Sequence, residues 1–188
     1  MMTRKFTKEA LYEVTNDLLI QHGYAGLHFG LIAERLEITR GALYKYFKNK
    51  DELIIDFMIY EMDKFLQDLK VIRQYKHFNQ QLEYLLDIIF KYSRIHQNLS
   101  IVYQIPTTKH VNEKVKQLEI RHHDMYAYLN AFIELGREEK RIHTEFPDHL
   151  ILGFIFQTVN IPNQTNLPEK QWKTLIMNFL SQGMQADL

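Results

Sequence analysis

The chain has 188 residues, 46% of them hydrophobic and 24% charged, with 23 Lys and Arg against 23 Asp and Glu and no cysteine. That length and apolar content suit one or two domains with a sizeable core, and the lack of cysteine excludes disulfides, thiolate zinc sites and thiol redox sensing. Net charge is zero, yet residues 1–50 hold eight Lys and Arg against five Asp and Glu, so a basic N-terminal part precedes an acidic remainder; such a head turns toward a polyanion.

The first predicted helix covers about residues 3–22, with Ala10, Leu11, Val14, Leu18 and Leu19 in one stripe and Lys5 and Lys8 near its start. Gly23 suits a left-handed cap at its end. A short second helix, Phe29–Leu36, places Phe29, Ile32, Ala33 and Leu36 on one face, and a tight turn at Glu37 follows. Thr39 is expected to cap a third helix with its hydroxyl, and Ala42, Leu43, Tyr46 and Phe47 form that helix's apolar face. Ala33 is small enough for the two helices to cross steeply, and Ile38 plugs the small core between them. This leaves Thr39, Arg40, Gly41, Tyr44, Lys45 and Lys48 outward, residue types that contact bases and phosphates. Arg40 stands near the helix start, where major-groove readers touch bases, and Gly41 permits close approach. Two short helices joined by a tight turn make the helix-turn-helix pattern.

Asn49 and Glu52 form a capping pair opening a long fourth helix, about 50–72, with Ile54, Phe57, Met58, Phe65, Leu69 and Ile72 inward. A fifth helix covers about 78–97, with Phe78, Leu82, Leu85, Leu86, Ile89 and Tyr92 on one face, and a short sixth, Leu99–Ile105, ends at Pro106. The seventh is the most regular, stepping through Val111, Val115, Leu118, His122, Met125, Leu129, Phe132 and Gly136. The last two helices, about 148–160 and 168–184, are broadly apolar; Asn166 and Glu169 are expected to cap the final one, with Trp172, Leu175, Ile176, Phe179 and Leu180 inward. No β alternation interrupts this series. The expected fold is all-α, about nine helices, with a three-helix head at residues 1–48 and a helical body at residues 49–188.

The body is rich in aromatic and Met residues. Phe57, Tyr60, Phe65, Tyr103, His122, Met125 and Tyr126 are candidates for lining an apolar ligand pocket with His122 as a polar handle, and packing the core is the alternative for each. Adjacent His122 and His123 diverge by about 100° on a helix, and no His-x-x-x-His pair accompanies them, so no metal site is expected. No nucleophile elbow and no Gly-rich phosphate loop is present, so neither an enzyme nor a cofactor is expected. The N-terminus lacks the apolar core of a signal peptide, and the longest apolar runs are far too short to span a bilayer, so a cytoplasmic location without membrane contact is expected.

Ile32-Ala33, the run Ile38-Thr39-Arg40-Gly41-Ala42-Leu43-Tyr44-Lys45-Tyr46-Phe47 and Lys50-Asp51-Glu52-Leu53, with Gly23-Tyr24 ahead of them, resemble the DNA-binding signature of the tetracycline-repressor (TetR) family over about residues 5–55. The resemblance implies that Arg40, Gly41 and Lys45 face bases of a double-stranded operator, that Tyr44, Tyr46 and Lys50 hold phosphates, and that Thr39 serves either purpose. It also implies a homodimer through the last two helices, about 148–184, a near-palindromic operator and a small-molecule effector acting on a repressor. Two positions depart from the family pattern: Leu27 and His28 stand where Thr or Ser usually opens the second helix, and Glu37 stands where the turn usually carries Gly. The rival reading is a protein-interaction or architectural DNA-binding module without an inducer.

Overall fold

The computed structural model describes residues 6–93, 105–106 and 109–185, with the side chains of Lys109 and His110 left aside. Among these residues the chain forms eight α-helices and no strand: α1 (Lys8–Gly26), α2 (Phe29–Arg35), α3 (Arg40–Tyr44), α4 (Lys50–Lys70), α5 (Phe78–Lys91), α6 (Lys109–Glu138), α7 (Asp148–Gln157) and α8 (Glu169–Met184). Single 3₁₀ turns extend α4 over Val71–Gln74 and α7 over Thr158–Asn160. None of the described helices is long and apolar enough to cross a membrane. The short helix expected at Leu99–Ile105 lies outside the described residues except for Ile105.

Two compact units are present: Met1–Asp63 with Arg94–Arg121, and Lys64–Ser93 with His122–Leu188. This packing division does not fall at residue 48. Leu11, Leu18, Leu19, Ile32 and Leu43 share one apolar cluster with Leu53, Ile54, Phe57 and Met58 of α4 and with Ile105, Val111 and Leu118. The first unit therefore takes in the opening parts of α4 and α6.

In that unit, α1 starts at Lys8 rather than near residue 3, because the Thr7 side chain caps it by accepting from the Ala10 N–H at 3.1 Å. It also runs past residue 22. Gly23 interrupts it with φ 65° and ψ −179°, a conformation open to glycine, and a last turn reaches Gly26. Ala33 is buried at the crossing, and the Ile38 N–H donates to its carbonyl at 2.9 Å. Glu37 adopts φ 54°, so the turn keeps a left-handed residue without the usual glycine. Asn49 Oδ1 accepts from the Glu52 N–H at 2.9 Å as expected, and the Glu52 carboxylate reaches back to the Lys48 N–H at 2.8 Å. Lys114 pairs with Asp56, and Arg121 forks onto Asp63 at 2.6 and 3.1 Å. Both partners advance by seven residues, so α4 and α6 run in the same direction along this seam.

In the second unit, Phe78 and Phe132 stack at 4.9 Å between centroids. Gly136 is the bare point where Phe78 and Ile142 close in. Asp68 is a hub: its carboxylate accepts from Lys91 at 2.7 Å and Tyr92 at 2.8 Å, and its carbonyl accepts from Tyr84 at 2.7 Å. Burial raises the Asp68 pKa, but the Lys91 and Tyr92 hydrogen bonds outweigh it and hold the carboxyl below its ordinary range.

The final helix corrects two expectations. Its N-cap is Pro168, with no side-chain cap; Asn166 instead takes φ 51°, and Asn163 accepts the Leu167 N–H at 3.1 Å. Ile176 and Leu180 face inward, but Leu175 and Phe179 face out, at 51% and 76% exposure, because the packing partners of α8 cover only one edge of its broad apolar face.

Candidate nucleic-acid interface

The reader segment is built on a small apolar base. Phe29, Ile32 and Ala33 from α2 meet Leu43 and Phe47, all buried. That leaves Thr39, Arg40, Gly41, Tyr44, Lys45 and Lys48 exposed, as their spacing predicts. Thr39 occupies the N-cap position of α3 in extended conformation, but its hydroxyl makes no capping hydrogen bond. Its carbonyl accepts from the Ala42 N–H at 3.0 Å.

Tyr46 does not join the apolar face of the helix. The helix ends at Tyr44, so Tyr46 lies in the turn beyond, 63% exposed, with its ring set edge-on against Phe6 at 5.6 Å. Tyr44 is exposed too and rests its ring on Phe29 at 4.9 Å. Both phenols thus stand on aromatic supports with their outer edges in solvent. Lys50 is half-buried: its ammonium donates to the Tyr24 carbonyl at 2.6 Å and lies 4.2 Å from the Tyr24 ring centroid. An ammonium carries three donors, so this one bond leaves capacity for a phosphate oxygen. Lys8 lies over the rings of Tyr12 and Tyr60 at 5.4 and 5.9 Å, toward α4.

Three features at this end escape the sequence reading. His28 takes the place of the usual hydroxyl residue at the α2 N-cap, its Nδ1 accepting from the Leu31 N–H at 3.4 Å. Gly30, second in α2, is bare beneath the His28 ring and the Arg40 guanidinium: a Cβ there would stand 2.9 Å from His28 Nδ1 and 3.1 Å from an Arg40 nitrogen. A glycine inside a helix costs about 1 kcal/mol relative to alanine, which was the available signal that something needs this space. Finally, the Tyr24 hydroxyl donates to Asp51 at 2.8 Å, joining the end of α1 to the start of α4. Burial first, then this bond and the Asp51 charge, push the phenol up to about 12.

The surface so formed offers a guanidinium, ammonium groups and phenols around a bare Gly41, the donor set that grips phosphates and reads base edges.

The residues expected to line a ligand pocket divide between the units. Phe57 is buried in the first, its ring 5.8 Å from that of Tyr12, and Tyr60 packs on the same Tyr12 ring at 4.9 Å. Phe65 belongs to the second, edge-on to Tyr92 at 5.5 Å and 6.3 Å from Phe156. His122 and Met125 are half-buried there, and Tyr126 is exposed. Tyr103 lies outside the described residues. On α7 and α8, Leu150, Phe154, Leu175 and Phe179 form outward apolar surface, Phe154 at 62% exposure.

Residues 11–57 match the family described as bacterial regulatory proteins, tetR family. The chain is 28% identical over 124 residues to the HTH-type transcriptional regulator QacR of Staphylococcus aureus (strain Mu50 / ATCC 700699), a match covering 63% of this chain and 66% of QacR, just under two thirds of the relative's length. Solved structures share the fold. The ketosteroid transcriptional regulator KstR2 of Mycobacterium tuberculosis superposes with a TM-score of 0.74 at 15% identity, covering 100% of both chains. The transcriptional regulator FadR of Bacillus subtilis, in complex with stearoyl-CoA, superposes with a TM-score of 0.68 at 18% identity, covering 95% of this chain and 100% of FadR.

Proposed function

From the premise that this chain is a TetR-family DNA-binding transcriptional regulator, we propose that it is a ligand-responsive repressor that binds a near-palindromic operator as a homodimer. Residues 1–48, with Lys50 just beyond them, supply the DNA contact, and the remainder of residues 49–188 the control. Arg40, Gly41 and Lys45 meet base edges, Tyr44, Tyr46 and Lys50 meet phosphates, and Thr39 joins either set.

The observation that carries the dimer is the outward apolar surface of the last two helices, with Phe154 and Phe179 at 62% and 76% exposure. Apolar area of that kind is stabilised when a second surface removes it from water, and two copies related by a two-fold axis provide matched faces. Two reader helices then fit half-sites about 34–36 Å apart, or a multiple of that spacing. Responsiveness is supported by the aromatic and Met-rich body, where Phe65, His122 and Met125 are the proposed effector contacts, and by the stearoyl-CoA bound to FadR, a protein of the same fold. An effector with a substantial apolar part, binding the free dimer more tightly than the DNA-bound one, must by linkage lower operator affinity. Helices α4 and α6 each belong to both units, and α4, which opens directly after the reader segment, is the element proposed to carry the change.

Selection of random DNA duplexes by the purified full chain near physiological salt is the test. Enrichment of an inverted repeat, bound by two copies in sedimentation, is the expected result. Binding without an enriched sequence supports the architectural reading instead, and an apolar effector that binds without changing operator affinity overturns the repressor mechanism.

A further inference from the structure

Arg40 is the first residue of α3, yet its guanidinium lies against α2. The space it uses exists because Gly30 has no side chain. A Cβ at that position would stand 3.1 Å from an Arg40 Nη atom, 2.9 Å from His28 Nδ1 and 3.0 Å from His28 Cε1. The imidazole and the guanidinium therefore converge over one bare backbone position from two different helices.

The imidazole is itself anchored. His28 Nδ1 accepts from the Leu31 N–H at 3.4 Å, which turns the ring over the first turn of α2. The positive end of α2 offers a cation no favourable field. The seat orients the guanidinium by shape and leaves its donors available to a better acceptor, such as the O6 and N7 atoms of a guanine.

We propose that Gly30 and His28 are positioning residues for Arg40: together they fix the point from which its guanidinium reaches into the major groove, and so set its base preference. Part of the sequence specificity then resides in α2, outside the reader helix. This rests on Arg40 reading a base, and the experiment separates the two claims.

The full chain and its Arg40→Ala, Gly30→Ala and Gly30→Ala/Arg40→Ala variants are each used to select from randomised DNA duplexes, after thermal unfolding has confirmed folding. Arg40→Ala is expected to flatten the preference at one base pair of each half-site. Gly30→Ala displaces the guanidinium and is expected to weaken preference at that same pair by about three- to tenfold, with the salt slope unchanged and no added effect once Arg40 is absent. If Gly30→Ala fails to fold, His28→Asn takes its place, since asparagine retains the N-cap while removing the ring. A positioning variant that leaves the preference intact, or whose effect persists in the Arg40→Ala background, overturns the proposal while sparing Arg40 as a reader. An Arg40→Ala profile identical to the parent's overturns both.

Discussion

The hydroxyl of Tyr24 donates to Asp51 at 2.8 Å. Lys50 donates to the carbonyl of the same tyrosine, so one residue just beyond the Gly23 break holds the start of α4 by both its side chain and its backbone. Tyr24→Phe removes one hydrogen bond and is expected to lower stability by about 1 kcal/mol near neutral pH. The phenol is pushed from an ordinary 10 up to about 12, by burial ahead of the Asp51 bond and charge. A raised pKa gives stability that is whole below the unfolded value and is lost as pH rises through the folded one. Denaturation of parent and variant across the alkaline range should therefore show their difference intact below about pH 10 and shrinking toward about pH 12. A difference independent of pH would disconnect the bond from the shift.

Arg121 and Asp63 form a two-point fork with both side chains partly exposed. Partly exposed pairs contribute up to about 1 kcal/mol and weaken in salt. Arg121→Lys keeps the charge but not the planar fork. It is expected to cost about 0.5 kcal/mol, and the cost should vanish in an Asp63→Asn background. A double-mutant cycle by urea denaturation at low and high salt measures both.

Gly136 has no room for a methyl group: a Cβ would lie 2.6 Å from Ile142 Cδ1 and 2.8 Å from the Phe78 ring. Gly136→Ala gains about 1 kcal/mol of helix propensity but overpacks a filled site, at a cost of about 1–3 kcal/mol. A net loss of up to about 2 kcal/mol is expected. Ile142→Val deletes the nearer of the two obstructing groups, so the double variant should be less destabilised than the sum of the singles. Thermal unfolding would refute the packing account if the two losses simply added.

Phe179 is the most exposed large apolar side chain among the described residues, at 76%. Under the dimer proposal, Phe179→Glu places a charge in a buried face and should yield monomers in sedimentation, with helical content by circular dichroism retained. Operator affinity should fall at least tenfold, since each half-site would be bound alone. A variant that remains dimeric would move the interface elsewhere.

Much of this molecule is legible in its periodicity. The inward positions of α4 and α5, from Ile54 to Ile72 and from Phe78 to Tyr92, are buried as their spacing requires. The outward set on and around α3 is exposed as its spacing requires, because a helix of five residues has one core face and little else. Periodicity fails where a face is apolar nearly all round. On α8 it cannot say which of Leu175, Ile176, Phe179 and Leu180 point inward, since that choice depends on neighbours distant in sequence. It fails at Tyr46 because the short helix ends two residues before it, at Tyr44, and Tyr46 lies in the turn beyond. The pairing of Arg40 with Gly30 and His28 is hidden for another reason: it joins two helices across a turn, and no local rule links positions 28, 30 and 40.

The apolar cluster that holds Leu43 of the reader helix also includes Ile105, Val111 and Leu118, which arrive about sixty to seventy-five residues after it in the chain. During synthesis the helix-turn-helix therefore leaves the ribosome before the last members of its apolar cluster do. Nascent chains halted before α6 would carry every DNA contact named above on an unfinished foundation. Sequence-specific grip should then be acquired late in translation, as the opening turns of α6 dock.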